Sequence, residues 1–358
     1  MADPVNVLIR CDGGHDIGMG HVSRCLALAD ALRGREGCTV TFAMRRSGTA
    51  GAAAVQAAGY RVDAVAADAR ADYGDELMAM ASSRGAAALV VDVRDALSRG
   101  SLEAIRARGV RIISIDDAAD RRLAADLAFY PPVPQVEEMD WTAFAGRRYA
   151  GWELVLLRRE FSGARAVQAS AGSSAESPAL PESASPAIDV LVTMGGSDPA
   201  GMTEFAMAAL DLLPMPLAVR VVVGPAFART ESLSGALTQS THATRIEHAP
   251  ASLAPLMRAS RLAVASFGVS AYELAACGVP AVHLCLTDDH ARSSSAFDRE
   301  GAAITAGVFG RLTAEALAAP IRRLIGRAGL RGQMARRASQ LVDGRGAERV
   351  AALVAAAI

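Results

Sequence analysis

Short apolar runs with no polar alternation recur along the 358 residues, each followed by a segment of helical period. Ala88-Leu89-Val90-Val91 is one of them. A strand that reads this way is covered on both faces, as in a parallel sheet flanked by helices. In the first half the runs are Val5–Arg10, Cys38–Met44, Arg61–Val65, Ala88–Val93, Arg111–Asp116 and Leu127–Phe129. In the second half they are Asp189–Met194, Leu217–Val223, Thr244–His248, Arg261–Ser266, Ala281–Cys285 and Ala302–Thr305. Three helical segments close the chain, at Ala314–Ile325, Leu330–Val342 and Ala347–Ala356. Such alternation predicts an α/β chain of two Rossmann-like, doubly wound domains with a cleft between them. Between the two trains, Ser162–Ala187 holds eight Ala, seven Ser and three Pro. That composition cannot form a core and reads as a flexible linker or insert. The expected division is therefore 1–161, 162–187 and 188–358.

The first apolar run leads into a loop with Gly13, Gly14, Gly18 and Gly20, and His21 follows where an amphipathic helix begins. Val22, Cys25, Leu26, Leu28, Ala29 and Leu32 form its apolar stripe. Glycines let backbone approach a ligand closely, and a helix start offers free N–H groups with a partial positive charge. A histidine there can meet an anionic substrate, and the helix field disfavours imidazolium, which suits a base. The alternative is a glycine-rich turn with a histidine at a helix start and no further role.

The second half carries three glycine signals of its own: Gly195-Gly196 after one strand, Gly224 after the next, and Phe267-Gly268-Val269-Ser270 before the helix holding Glu273. All lie at the carboxyl ends of strands, where open α/β sheets bind ligands, and their N–H groups suit a diphosphate. Glu273 has two readings. Ser270 and Glu273 fit a capping box, while the carboxylate could instead accept both hydroxyls of a ribose. Asp116-Asp117 reads first as a cap or an inter-loop bond. Asp288-Asp289-His290 opens a helix expected to face the cleft. His242 and His283 carry no motif.

Composition removes several classes. The net charge of −1 gives no positive field for general nucleic-acid or membrane-surface binding. Five cysteines without a CxxC pair read as reduced, buried thiols. The start lacks a signal-peptide pattern and no apolar run reaches 18 residues, so a cytoplasmic protein without membrane insertion is expected. No metal-ligand spacing, nucleophile elbow or Walker A motif is present.

At Gly18-Met19-Gly20-His21-Val22-Ser23-Arg24-Cys25, Met194-Gly195-Gly196-Ser197-Asp198-Pro199 and Glu273-Leu274-Ala275-Ala276-Cys277-Gly278-Val279-Pro280, the chain resembles a known family. These are the UDP-sugar hydrolases of the pseudaminic-acid pathway and the related spore-coat polysaccharide proteins. A remoter likeness is to the UDP-GlcNAc transferase of peptidoglycan synthesis. The resemblance spans nearly the whole chain outside Ser162–Ala187. It implies a GT-B fold and hydrolysis of UDP-2,4-diacetamido-2,4,6-trideoxy-β-L-altropyranose to free sugar and UDP, with no cofactor and no metal. It implies His21 as the catalytic residue. Asp12, Gly18, Gly20, Asp92, Asp289 and His290 become candidate substrate-binding residues. Gly195, Gly196, Gly224, Gly268, Val269, Ser270 and Glu273 become candidate nucleotide-binding residues. A UDP-sugar is the implied substrate, and other enzymes of the same sugar pathway are candidate partners.

Two departures stand where the sugar is expected. The family commonly has a tyrosine shortly after its Val-Asp strand end, where this chain reads Asp92-Val93-Arg94. It commonly has Asn-Gln where this chain reads Asp289-His290. A glycosyltransferase would use the same base on a sugar hydroxyl, but the first domain shows no clear apolar-basic surface helix for an acceptor. A catalytically silent nucleotide-sugar binder would not need the His21 loop.

Overall fold

The computed structural model describes residues 5–14, 17–35, 37–45, 49–66, 71–162, 188–198, 200–224 and 227–358. The expected linker, 162–187, lies outside the described residues except for Ser162. The chain forms two compact units, Met1–Arg158 with Arg345–Ile358, and Arg159–Gly344.

The first unit is built on seven parallel strands. They are β1 (Val5–Cys11), β2 (Cys38–Arg45), β3 (Arg61–Val65), β4 (Ala86–Asp92), β5 (Arg111–Ile115), β6 (Leu127–Tyr130) and β7 (Arg147–Ala150). Their order is β3-β2-β1-β4-β5-β6-β7, the doubly wound order, with the chain reversing direction between β1 and β4. Alternate residues feed two cores. Val7, Ile9 and Cys11 of β1 pack with Val22, Cys25, Leu28 and Leu32 of the Gly20–Arg33 helix. Leu8 faces the other side with Leu77, Leu89 and Leu102. Both faces are covered, which is why these strands read as unbroken apolar runs. β7 escaped the sequence reading because it is a largely exposed edge strand with two arginines and no apolar run.

The last helix, Gly346–Ala355, belongs to this first unit, so the expected boundary of 188–358 is corrected at its C-terminal end. Its buried residues Ala347, Val350, Ala351 and Val354 join the β1 core. Val350 and Val354 are fully buried, and each contributes about 1.5–3 kcal/mol by leaving water. The sequence shows the apolar stripe of this helix but not which sheet it covers.

The second unit has six parallel strands in the order β10-β9-β8-β11-β12-β13. They are β8 (Ile188–Thr193), β9 (Ala218–Val223), β10 (Ala243–His248), β11 (Ser260–Ser266), β12 (Ala281–Cys285) and β13 (Ile304–Val308). This repeats the first unit's winding, with the reversal between β8 and β11. β13 begins two residues later than its apolar run suggests. Ala302 instead closes the preceding helix, donating its N–H to the Phe297 carbonyl at 2.9 Å.

The last helix docks through a glycine. A Cβ at Gly346 would run into the backbone of Val155. Gly346→Ala is expected to cost about 1–3 kcal/mol, the range for overpacking a close contact. Urea denaturation checks this, and unchanged stability would show that the helix start can shift.

Candidate active site

In the first unit the expected residues gather at the carboxyl ends of β1 and β4, the switch point of the sheet. Gly18 adopts φ +72°, a left-handed conformation that favours glycine, and its carbonyl accepts from Gly14 N–H at 3.1 Å. The chain then enters the helix at Gly20, behind Met19, which provides no side-chain cap. His21 is therefore the second helical residue. Its Nδ1 lies 2.6 Å from Asp92 Oδ1, at the end of β4. An ionised carboxylate can only accept, so Nδ1 carries the proton and Nε2 is left as the basic nitrogen.

Asp92 was expected to touch substrate. Its side chain is 1% exposed, and both its oxygens are engaged within the protein. Arg24, one helical turn after His21, donates from Nε to Oδ2 and from Nη2 to Oδ1, each at 2.6 Å. Arg24 Nη1 also reaches Asp116 Oδ2 at 2.8 Å. Burial pushes the Asp92 carboxyl up, but the Arg24 guanidinium and His21 outweigh it and hold the group well below the usual carboxylate range. The same pairing raises Arg24 against the effect of its own burial. Arg24 Nη2 lies 3.1 Å from His21 Nδ1. The imidazole thus sits between a carboxylate and a guanidinium, not in the field of the helix start alone.

Asp12 is likewise taken up by arginines. Its Oδ2 accepts from Arg10 at 2.7 Å and from Arg45 Nε at 2.6 Å, and its Oδ1 accepts from the Arg45 backbone N–H. Burial opposes its ionisation, and the Arg10 hydrogen bond overcomes this and lowers its pKa. Arg10 is fully buried on the Leu8 side of β1. Besides Asp12 it reaches Tyr73 Oη at 2.9 Å and Asp95 Oδ2 at 2.9 Å. Arg121 donates to the carbonyls of Val93, Asp95 and Leu97 and so holds the loop after β4. Asp117 makes local bonds rather than an inter-loop one, accepting from Ala119 N–H and from Arg121 four residues on. A small pocket results, lined by Asp12, Ile17, His21, Arg45, Arg94 and the Asp92–Asp95 strand end. Arg10, Arg24 and Arg121 were missed from sequence. Only Arg24 left a signal there, three residues from His21 on one helix face.

In the second unit the loops after β8, β9 and β11 come together. Gly195, at φ +86°, lies exposed beside Ser266. A Cβ at Gly224 would strike the Gly196 backbone, so Gly224 acts by letting two loops close on each other. Asp198 caps the Met202–Asp211 helix, accepting from the N–H groups of Met202 and Thr203 at 2.9 and 2.7 Å. Gly268 is the N-cap of the Val269–Ala276 helix, with open space where a Cβ would stand. Ser270 lies inside that helix, so the capping-box reading of Ser270 and Glu273 fails. Glu273 is 4% exposed, one turn into the helix. Asp289 and His290 lie in the first turn of the Asp288–Arg299 helix, whose N-cap is Thr287. The His290 ring is 6.1 Å from Phe267. Among the described residues, no three His, Cys, Asp or Glu are grouped to hold a metal ion, and no helix is long and apolar enough to cross a membrane.

Two sheets of this winding define the GT-B fold, and comparison with solved structures agrees. MurG of Acinetobacter baumannii matches with a TM-score of 0.70 at 16% identity, over 99% of this chain and 100% of that one. The UDP-GlcNAc 2-epimerase of Neisseria meningitidis, solved with UDP-GlcNAc bound, matches with a TM-score of 0.64 at 11% identity, over 98% and 100%. Among curated proteins, the spore coat polysaccharide biosynthesis protein SpsG of Bacillus subtilis (strain 168) is 23% identical over 353 residues, 98% of each chain. No family model matches the chain.

His283, on β12, packs among the rings of Phe267 and Phe297. Its Nδ1 pairs with Ser294 Oγ at 2.9 Å, and its buried Nε2 has no partner among the described residues. Burial pushes its pKa down from 6.5 to about 3. Between those values the unfolded chain binds a proton that the folded one refuses, so stability falls as pH falls, by about 1.4 kcal/mol per unit. His283→Gln should flatten that slope between pH 6 and pH 5, where few carboxylates titrate. Parallel urea denaturation series at the two pH values check this, and identical slopes would rule it out.

Proposed function

We propose that the protein is a nucleotide-sugar hydrolase that cleaves the anomeric C–O bond of a UDP-linked sugar in surface-polysaccharide or nonulosonic-acid biosynthesis. The observation that carries this reading is the His21–Asp92 pair, a base that is 16% exposed and whose proton-bearing nitrogen is fixed by a buried carboxylate. His21 Nε2 takes a proton from water as the water oxygen bonds to the anomeric carbon. The bond to the diphosphate oxygen breaks, and UDP leaves with the electron pair. Asp92 stabilises the imidazolium that forms, and Arg24 keeps Asp92 ionised. The carboxylates near His21 are held by arginines, so the step is written without a metal.

The leaving diphosphate is assigned to the N–H groups at Gly195, Gly196, Gly268, Val269 and Ser270, which suit an anion at a helix start. Glu273 is assigned to the ribose hydroxyls. Support for a UDP-sugar comes from the bound UDP-GlcNAc in the similar epimerase, and support for the pathway from the name of the Bacillus relative. A second reading is a glycosyltransferase, because the same His21–Asp92 pair can deprotonate a sugar hydroxyl instead of water.

The test is incubation with a panel of UDP-sugars, the diacetamido-trideoxy sugar among them, with free sugar and UDP detected by mass spectrometry. Release without an acceptor is expected. Release only with an acceptor identifies the transferase, and binding without turnover sinks catalysis altogether. His21→Asn should lower kcat by about 10²–10⁴-fold, the contribution of one general base, while UDP binding persists. EDTA should leave the wild-type rate unchanged. Retention of more than a tenth of wild-type kcat would remove His21 from the base role.

Glu273→Gln should weaken UDP binding by about 1.5–3 kcal/mol, the scale of a charge-assisted hydrogen bond. Calorimetry decides it: unchanged affinity leaves Glu273 with a structural role.

A further inference from the structure

The charges lining the His21 pocket, three aspartates and two arginines, differ in accessibility. Asp12, Asp92 and Asp95 line it, yet their side chains are 4%, 1% and 2% exposed and already paired, Asp12 and Asp95 with the buried Arg10 and Asp92 with His21 and Arg24. The cations that complete the wall are reachable. Arg45 is 17% exposed and Arg94 54%. Arg45 is held from behind, its Nε and backbone N–H both on Asp12, while its Nη atoms have no hydrogen bond to any described residue. A guanidinium anchored through one edge with its other donors unspent is arranged to receive an oxyanion. Arg94 is held loosely, 3.7 Å from Asp116 Oδ2 and 3.4 Å from the Asp116 carbonyl. The Asp116 carboxylate is itself shared with Arg24 at 2.8 Å. Among the described residues lining the pocket, the more accessible charges beside His21 are therefore cationic.

We propose that this pocket recognises an anionic substituent of the sugar, a ring carboxylate, so that the substrate class is a UDP-linked acidic sugar. The proposal rests on the nucleotide-sugar reading above and narrows it. Hydrolysis of a neutral sugar needs a base and a stabilised leaving group, and both are supplied without Arg45 or Arg94. A carboxylate held by these two arginines would seat the ring against His21. The position of Arg94 is also one of the two departures from the resemblance noted in the sequence. An oxyanion could reach the arginines from a second source, the diphosphate, and the test separates the two.

Matched pairs that differ only at one carbon are the probes: UDP-glucuronate with UDP-glucose, and UDP-galacturonate with UDP-galactose. In at least one pair kcat/KM for the acid should exceed that for the neutral sugar by about 10–100-fold, the range of a charge-assisted contact. Arg94→Gln and Arg45→Gln should collapse that ratio toward one, and Arg94→Lys should restore much of it, since the charge returns without the fork. A ratio near or below one in both pairs, or one that survives both glutamine variants, overturns the proposal while leaving hydrolysis standing. If the variants weaken UDP alone as much as they weaken the acidic sugar, the diphosphate is the ligand and the proposal fails. If no UDP-sugar binds or turns over, the nucleotide-sugar reading falls and takes this one with it.

Discussion

The buried carboxylate of Asp92 is the point on which the first unit's site turns. It is 1% exposed, and an ionised group at that depth persists only where donors meet its oxygens. Arg24 and His21 supply them, one turn apart on a single helix. Removing one member of such a buried set commonly costs about 3–5 kcal/mol, because the other charge is left uncompensated. The helix that carries His21 and the strand that carries Asp92 are therefore bound to each other by charge as well as by the apolar contacts of Val22, Cys25 and Leu28. The geometry of the candidate site and the stability of the fold draw on the same interaction.

Arg10 extends that logic beneath the pocket. A fully buried arginine on an otherwise apolar strand links β1 to Asp12, to Tyr73 and to Asp95 in the loop after β4. Arg121 grips the carbonyls of that loop from the other side. The acids facing the pocket are thereby paired from behind, and among the described residues the more accessible polar groups on its wall are the His21 imidazole and the guanidinium groups of Arg45 and Arg94. Asp116 lies at φ +51°, a strained conformation for a residue other than glycine, where it meets Arg24 and Arg94. Backbone strain and buried charge thus collect at one place, as expected where positioning matters more than stability.

The second unit repeats the winding and uses glycine where the first uses charge. Gly224 lets its loop close on Gly196, and Gly268 opens the Val269–Ala276 helix with no side chain over its N–H groups. Asp198, one residue beyond the glycine pair and its serine, secures the next helix through two backbone N–H groups. Open backbone at helix starts, held by well-capped neighbours, is the physical setting for an anionic ligand.

The sequence alone determined twelve of the thirteen strands and the doubly wound class, because parallel strands buried on both faces leave unbroken apolar runs. It also located His21 and the glycine loops, whose signals are local. It missed β7, an exposed edge strand with no such run, and it left the capping box of Ser270 and Glu273 open, which the helix start at Val269 excludes. The Asp92 partnership was out of reach: it joins residues 71 positions apart, and only the adjacency of β1 and β4 brings them within 2.6 Å. Arg10 was hidden for the same reason, since a charge inside an apolar strand gives no clue to its partners. The last helix showed its apolar stripe in sequence, but which core it covers was decided by the chain's return to the first sheet, a choice that periodicity cannot encode.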